Sequence, residues 1–538
     1  MPEFTVEGSE VVRKTVSETG TGAHVFVPKE WRGEDVMVVR LEEPTDTEGD
    51  RDAPPEFSTV DYDPVFDSSA SMTESGREIG IEEVDSSNVW AGKYPRQLFE
   101  SAATVDDGEV KIGYSSDSQR GFRPVSIGRT VVFRHTALFG DSGHGKTTLL
   151  KNLMVQWAYA GDGFCYIDSG GGGSEDLLRK LPAHRLDDVV WVDPSDASAD
   201  RVVGFNFLEP TARRGNPRSA DAEVETIVDG ARDLLVDDPP WGERMDALFW
   251  AVCRSMVESD RPYTLVDLHR VFADDEYRHR FAEEGEPKVR ESIVALGDQV
   301  DAENVEPLLR RLTSLTESRA AREVIAHGDA TLGVRDAVEN GAIVLVKNGG
   351  ADTDERRLIV NAIARQIHGA IRGRIAMPEG KRTPYHVVID GLVDAAGDGG
   401  TIERMLSKGR SMRVSFTLCC QQPSQLPAET RKTVLGKCDT LLAMKASNIH
   451  DSETIMKRFG ERDAADLMNL GRYEMVTSIG VGPRQSDAFV TSLFPPYPPL
   501  RTPEEADAVK EDSLHRYGTA RLDVDGLSDE ALLVPPYD

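Results

Sequence analysis

The chain has 538 residues, and at about 150 residues per domain this length predicts two to four domains. Its 93 acidic side chains outnumber the 62 Lys and Arg side chains, which gives a formal net charge of −31. This charge excludes the usual class of nucleic-acid binder, in which the whole domain surface is basic.

The basic residues are mostly arginine: 46 are Arg and only 16 are Lys. A lysine-poor, acid-rich surface is typical of halophile proteins. The acidity therefore indicates a salt-rich habitat and says little about which molecules the protein binds. The five cysteines include no Cys-x-x-Cys pair, and no run of about 18 apolar residues occurs. We therefore expect a cytoplasmic, soluble protein with reduced thiols.

The N-terminal segment at 11–41 alternates apolar and polar residues on both sides of a Pro-Lys-Glu turn, which is typical of a small β unit. Its part GAHVFVPKEWRGEDVMVVRLEE resembles the swapped-hairpin modules of AbrB-like proteins. This resemblance implies a module that dimerises or binds DNA, and a plain β appendage is the alternative. The following residues, 45–78, are rich in Asp, Glu, Ser, Thr and Pro, which predicts a disordered linker.

The main body alternates strand-like and helix-like segments. Helical periodicity, as in KTTLLKNLMVQWAYA, separates several of the strand-like runs. This alternation predicts an α/β fold with a doubly wound, mostly parallel sheet. Apolar runs that suit buried parallel strands are VFRHTALF ending at Phe139, 163–168, 188–193, 341–348, 385–390, 414–420 and 439–444.

The strongest motif fits G-x-x-x-x-G-K-[ST] and lies between a predicted strand and a predicted helix, as that motif requires. Its glycines let backbone N–H groups wrap phosphates, and the helix N-terminus adds positive potential. Lys146 reaches the terminal phosphates and the Thr147 hydroxyl binds Mg²⁺. The predicted ATP-binding residues are Gly140, Asp141, Ser142, Gly143, His144, Gly145, Lys146, Thr147 and Thr148.

A second chemical signal is the apolar run that ends in Asp390, a Walker B candidate whose carboxylate orients the Mg²⁺ shell. Downstream, LSKGRSMRVSFTLCCQQPSQLP (406–427) predicts a helix end, a basic turn, a strand and a glutamine pair. Together with Lys146, this arrangement resembles the FtsK/HerA superfamily of ring ATPases. It is most similar to the TraG-type coupling and motor ATPases of type IV secretion and conjugation.

The resemblance covers about residues 125–480 and implies a RecA/FtsK-like P-loop core that uses ATP and Mg²⁺. It implies that Thr147 and Asp390 hold the metal, that Arg410 reaches into a neighbouring subunit's site, and that Gln421 senses the γ-phosphate. Asp390, Arg410 and Gln421 are thus the candidate catalytic residues. The alternatives are a solvated helix-end charge for Arg410 and a turn-capping side chain for Gln421.

The chain departs from this family at one position. The family has a Glu after the Walker B Asp to activate water, and this chain has Gly391. Loss of a general base costs about 10²- to 10⁴-fold in rate. Either another carboxylate, such as Asp394 or Glu403, substitutes for the missing one, or hydrolysis is slow.

The patterns along the chain also predict how it is divided into domains. Residues 220–330 carry helical periodicity and little strand pattern, which predicts a helical insertion. The C-terminal arm is expected to dock on a neighbouring molecule. We predict an AbrB-like β module at 1–44, a linker at 45–78, a small β subdomain at 79–130, the ATPase core at 131–219 and 331–490 around an insertion at 220–330, and a C-terminal arm at 491–538.

The function that these features predict is a ring-shaped ATPase, a hexamer, that translocates DNA in conjugative transfer, viral packaging or chromosome processing. Its partners are DNA, further copies of the chain and a membrane-bound secretion or packaging protein. The alternative is a non-motor DNA-binding or assembly factor that uses ATP as a switch. Gly391 and the AbrB-like segment favour this alternative.

Overall fold

The computed structural model describes residues 109–521 with gaps, together with two short N-terminal strands. Contacts divide the chain into two units, Met1–Glu56 and Phe57–Asp538. No helix among the described residues is long and apolar enough to cross a membrane. The gaps are 118–120, 197, 205, 207, 209–223, 226, 229–230, 233–242, 260, 285–289, 291–301, 318–331, 351–352, 396–399, 461–462 and 482–483.

In the first unit, β1 (Ser17–Thr19) pairs antiparallel with β2 (Gly22–His24), so that Thr19 lies opposite Gly22. The rest of the predicted AbrB-like module lies outside the described residues. The predicted linker at 45–78 and the first part of the predicted β subdomain, 79–108, also lie outside them.

The second unit is built on a mixed sheet with eleven strands in its described part, in the order β4-β3-β16-β13-β12-β5-β11-β10-β6-β9-β7. The strands are β3 (Val110–Asp117), β4 (Gly121–Ile127), β5 (Thr136–Phe139), β6 (Gly163–Asp168), β7 (Val189–Val192), β8 (Arg201–Val202), β9 (Ile343–Lys347), β10 (Tyr385–Asp390), β11 (Val414–Cys420), β12 (Thr440–Met444), β13 (Glu474–Ser478), β14 (Gly480–Val481), β15 (Arg484–Gln485), β16 (Phe489–Leu493) and β17 (Thr519–Ala520).

Helices cover both faces of this sheet. The described helices are α1 (Arg129–Val132), α2 (Lys146–Tyr159), α3 (Gly173–Leu178), α4 (Glu243–Glu258), α5 (Leu265–Ala273), α6 (Asp275–Glu284), α7 (Ala302–Glu317), α8 (Val334–Asn340), α9 (Thr353–Gly373), α10 (Leu392–Ala395), α11 (Gly400–Gly409), α12 (Ala428–Lys437), α13 (Ile449–Met456), α14 (Ala464–Met468) and α15 (Pro503–Tyr517).

The seven strands from β12 to β7 in the sheet order run parallel. The other four strands, β13, β16, β3 and β4, continue the sheet in antiparallel pairs. Two hydrophobic cores lie on the two faces of the sheet, and successive side chains of a buried strand point alternately into one and the other. In β5, Ala137 and Phe139 face the first core and Leu138 faces the second. The predicted α/β fold with a mostly parallel sheet is confirmed.

The first core also includes the buried faces of α4 to α7. Phe249 of α4 and Leu268 of α5 are completely buried in it, together with strand residues such as Ala137. The described helices in the predicted insertion at 220–330 therefore share a hydrophobic core with the sheet. The domain boundaries themselves stay a prediction.

Segments from two of the predicted domains contact the rest of the unit. The hairpin β3–β4, which lies in the predicted small β subdomain at 79–130, joins the main sheet because Tyr114 pairs with Ser492 of β16. The described part of the predicted C-terminal arm packs on its own chain: the backbone N–H of Trp191 donates to Ser513 Oγ of α15 at 2.8 Å, and β17 pairs with β8. Residues 522–538 lie outside the described residues.

The strand predicted for VFRHTALF is shorter than expected, since only Thr136–Phe139 is extended. His135 interrupts it with a φ of 68°. Its buried ring bonds two distant segments, because the backbone N–H of Phe416 donates to Nδ1 at 3.2 Å and Nε2 lies 2.8 Å from the Leu406 carbonyl. Nδ1 is thus an acceptor and Nε2 carries the proton, so the ring must be neutral.

This neutral ring predicts a pH dependence of stability. Burial lowers the pKa of His135 from 6.5 to about 4. Between these values the unfolded chain binds a proton that the folded chain does not, so the stabilisation by His135 is present above pH 6.5 and falls toward pH 4 by about 1.4 kcal/mol per pH unit.

The variant His135→Asn tests this dependence, since Asn tolerates a positive φ and does not titrate. We expect it to be less stable than the wild type at neutral pH but to lose less stability on acidification, by about 1.4 kcal/mol per pH unit. Urea unfolding between pH 7.5 and 5 measures both slopes. Parallel slopes for the two proteins would contradict the assignment.

Candidate active site

The predicted site residues lie at the edge of the sheet where the parallel strands have their carboxyl ends. β6 ends at Asp168 and β10 at Asp390, and the register places these two carboxylates on neighbouring strands. Cys419 of β11 lies opposite Asp390 on its other side. In doubly wound sheets, ligands bind outside this edge.

The loop between β5 and α2 holds its shape through glycines with positive φ. Gly140 has a φ of 148° and a Cβ there would lie 2.6 Å from Met444 Cβ. Gly145 has a φ of 110° and its Cβ would lie 2.7 Å from Tyr473. Only glycine fits both positions, so the motif glycines are required by backbone conformation and by close packing.

Contacts from distant segments anchor this loop. The Asp141 carboxylate accepts from the backbone N–H of Ser447 at 2.8 Å and from its hydroxyl at 2.6 Å. Partial burial acts to raise the pKa of Asp141, but the hydrogen bonds from Ser447 outweigh it and the pKa is lowered. Tyr473 donates its N–H to the His144 carbonyl at 3.1 Å. No sequence motif marks Ser447 or Tyr473, and neither was predicted.

Lys146, Thr147 and Thr148 form the first turn of α2, directly after the loop. Lys146 is largely buried and its Nζ donates to the Asp141 carbonyl at 2.9 Å. No side chain caps the helix N-terminus, so its first N–H groups face the loop without a side-chain acceptor. A lysine and helix N–H groups around an open glycine loop fit a phosphate group.

Thr147 and Asp390 lie in direct contact, since the threonine hydroxyl donates to Asp390 Oδ2 at 2.9 Å. Tyr166 of β6 donates to the same oxygen at 3.4 Å. Burial raises the pKa of Asp390, although the bond from Thr147 opposes this. A hydroxyl and a carboxylate oxygen are hard donors of the kind that Mg²⁺ prefers, so this pair fits a magnesium ion.

Asp168 organises the glycine-rich loop that follows β6. Its carboxylate accepts from the backbone N–H groups of Gly170 at 3.1 Å, Gly171 at 3.0 Å and Ser174 at 2.8 Å. The loop also packs against Gly349, whose Cα lies 3.0 Å from the position of a Cβ on Gly171. The sequence indicated a strand ending in Asp and a glycine turn, but not this role of the carboxylate.

Gly391, where the family has Glu, has a φ of 104°. A Cβ there would lie 2.6 Å from Ser169 Cβ, so the side chain of Ser169 occupies the space. Of the two substitutes suggested from the sequence, Asp394 Oδ2 lies 3.5 Å from that Cβ position. Glu403 is exposed and pairs with Lys437 at 3.2 Å on a helix surface.

Gln421 and Arg410 lie at opposite ends of β11, and so on the two sides of the sheet where the parallel strands end and begin. Gln421 follows β11, and its carbonyl accepts from the N–H of Gly140 at 3.1 Å, beside the loop. Arg410 begins the short helix Arg410–Met412 that precedes β11, and it is exposed. β11 has seven residues, and at about 3.3 Å per residue it separates the two by roughly 20 Å. Arg410 therefore lies far from the loop of its own chain.

The conformation of Gly391 predicts an effect on stability. Gly391→Ala introduces a Cβ at a positive φ and against Ser169, which should cost about 1–3 kcal/mol. Gly436→Ala is the matched control, because Gly436 is a helical glycine with nothing within 4 Å of its Cβ position. We expect that control to be as stable as the wild type or more stable. Thermal unfolding measures both, and equal melting temperatures for the two variants would contradict the packing argument.

Solved structures of the bacterial conjugative coupling protein TrwB share the fold. An unbound form, TrwBdeltaN70, has a TM-score of 0.51 at 15% identity and covers 76% of this chain and 93% of that chain. A trigonal form with sulphate has a TM-score of 0.50 at 17% identity, and a complex with the ATP analogue ADPNP has 0.50 at 15% identity. Each of these two covers 70% of this chain and 90% of that chain.

A comparison with curated proteins gives no significant match. A family model does match: the type IV secretion-system coupling protein DNA-binding domain, over residues 121–473, which is more than half of the chain. This stretch contains the glycine loop, Asp390 and the strands between them. The chain belongs to the family of TraG-type coupling ATPases of type IV secretion, within the FtsK/HerA-like P-loop superfamily.

Proposed function

We propose that this protein is an ATP-hydrolysing ring motor, a hexamer, that translocates DNA in conjugative transfer. The observation that carries the proposal is the Thr147–Asp390 contact of 2.9 Å at the end of a glycine loop, in a chain of the coupling-protein family. That contact joins the two motifs on which phosphoryl transfer depends.

ATP binds in the glycine loop in this proposal. Backbone N–H groups of the loop from Ser142 to Gly145 and the N-terminus of α2 surround the phosphates, and Lys146 turns from the Asp141 carbonyl toward the terminal phosphate. TrwB has been solved with an ATP analogue, which supports this use of the shared fold.

Thr147 and Asp390 would hold Mg²⁺. When bound, the ion supplies positive charge to the phosphate oxygens. Asp390, which is partly exposed, orients the ligands around the ion, and Gln421, beside Gly140, contacts the γ-phosphate. The described residues contain no cluster of three His, Cys, Asp or Glu side chains that would hold a metal by themselves. This is typical of magnesium sites that take further ligands from phosphates and water.

The active site is shared between subunits in this proposal. Arg410 is exposed at the edge of the sheet opposite the loop, so it serves a neighbouring subunit's nucleotide and not its own. An arginine that stabilises the transition state from a second subunit contributes about 10³- to 10⁵-fold to the rate. The arrangement requires a head-to-tail ring.

The rival proposal is a DNA-binding or assembly factor that uses ATP as a switch. Gly391 supports it, because the family's water-activating Glu is absent. Phosphate release measured with and without DNA separates the two. A motor releases phosphate continuously and faster with DNA, whereas a switch stops after one nucleotide per site.

Lys146→Ala tests the nucleotide site. Lys146 neutralises phosphate charge that backbone dipoles alone do not balance, so the variant should lose binding of a fluorescent ATP analogue in high salt. An affinity within a factor of about three of the wild type, roughly 0.7 kcal/mol, would contradict the assignment.

Arg410→Ala tests the shared site. We expect it to bind the ATP analogue normally and to lose turnover. Mixing it with Lys146→Ala should restore part of the activity, since a ring with both subunits contains some sites with an intact Lys146 and an intact Arg410. No recovery at any mixing ratio, with both variants assembled, would indicate a site that is complete within one chain.

Binding to DNA is expected to depend on topology. Salt weakens phosphate contacts steeply, with a slope near −0.9 per contact. A chain of net charge −31 therefore holds DNA in concentrated salt by enclosing it. ATP-assembled protein should stay on closed circular DNA through a salt wash and leave after the DNA is cut. Equal retention on both forms would favour a surface binder.

A further inference from the structure

The corner between β6 and β10 contains three residues that belong to neither of the two nucleotide-binding motifs. They are Ser169, which follows β6, and Gly391 and Asp394, which follow β10. The backbone N–H of Ser169 donates to the Asp390 carbonyl at 3.1 Å, so this corner adjoins the candidate magnesium ligand directly.

The hydroxyl of Ser169 is buried and has no hydrogen-bond partner among the described residues. It lies 2.7 Å from the position of a Cβ on Gly391, and Asp394 Oδ2 lies 3.5 Å from the same position. The two oxygens are therefore at most about 6.2 Å apart. One water molecule joins them by two hydrogen bonds of about 2.8 Å each when their separation is no more than about 5.6 Å. A buried polar group without a partner at such a place indicates a water site.

Asp394 is held in a defined position. It lies in the first turn of α10, with its N–H bonded to the Gly391 carbonyl at 3.0 Å. Its carboxylate lies 3.6 Å from Nε of Arg356 in α9, and its side chain is 22% exposed. The ion pair with the arginine holds the carboxylate in place, and the side chain remains partly accessible to water.

We propose that Asp394 is the general base of ATP hydrolysis in this chain and that Ser169 positions the attacking water. This inference rests on the proposed ATPase function. The Asp394 carboxylate lies close to the position that the Cβ of a Glu at position 391 would occupy. Asp394 therefore takes the place of that Glu, although it comes three residues later in the chain. Gly391, which has no Cβ, leaves room for the side chain of Ser169.

In the reaction, the water oxygen forms a bond to the γ-phosphorus while one water proton passes to the Asp394 carboxylate. The bond between the γ-phosphorus and the bridging oxygen breaks, and its electron pair leaves with ADP. The products are ADP and inorganic phosphate, and Asp394 returns its proton to solvent. Ser169 contributes orientation only, because its hydroxyl holds the water and does not take the proton.

The test compares Asp394→Asn with the wild-type full chain in high salt, in the presence of DNA. Loss of a general base lowers kcat by about 10²- to 10⁴-fold. We expect a fall in this range, with affinity for a fluorescent ATP analogue and melting temperature close to those of the wild type. Glu403→Gln is the matched control: it neutralises the other candidate carboxylate, which pairs with Lys437, and it should leave kcat within twofold.

Two further variants address misfolding and positioning. Asp394→Glu keeps the carboxylate and should recover part of the activity that Asp394→Asn loses. A loss caused only by the broken ion pair with Arg356 would instead appear as a lowered melting temperature of Asp394→Asn. Ser169→Ala should lower kcat about tenfold without weakening binding of the ATP analogue.

Asp394→Asn with more than a tenth of the wild-type kcat would overturn the inference while leaving the proposed function intact. Equal loss of turnover and of nucleotide affinity in that variant would also overturn it, since a base acts on the chemical step. Wild-type phosphate release no faster than that of Lys146→Ala would instead overturn the proposed ATPase function, and this inference with it.

Discussion

The hydrogen bond between Thr147 and Asp390 joins the start of α2 to the end of β10 across 243 positions of sequence. It forms only because β11 lies between β5 and β10 and pairs with both in parallel register. The loops that follow these strands must then meet at one edge. Asp168 and Ser169 enter the same edge because β6 pairs with β10 on the other side. The candidate site is thus a consequence of strand order.

Arginines stabilise the opposite edge of this sheet through backbone carbonyls. Arg374 is almost completely buried and donates to the carbonyls of Thr383, Met412 and Val338. Arg185 donates in the same way to Ala158 and to Gly341. A guanidinium offers five donors and stays charged, which a lysine does not match. The arginine-rich, lysine-poor composition therefore has a structural use in these contacts.

Gly391 shows how the site tolerates the missing Glu. Its positive φ turns the chain sharply after Asp390, and the side chain of Ser169 fills the volume that a Cβ would need. The turn brings α10, and Asp394 with it, back toward the corner. The backbone and the neighbouring side chains are therefore built around a glycine here, and a single replacement by Glu would not fit without movement of Ser169.

Local sequence pattern by itself determined β6, β10 and β11, because each is an apolar run with turn residues at its ends, and their bounds agree with 163–168, 385–390 and 414–420. It also determined the glycine loop, since only glycine adopts its dihedral angles. Tertiary structure decided the shortened β5, where His135 bonds Leu406 and Phe416. Tertiary structure also determined the contacts of Ser447 and Tyr473 with the glycine loop and the packing of the C-terminal segment on its own chain. It also brought Ser169 close to Asp394. These contacts join segments far apart in the chain, and no local pattern of residues encodes them.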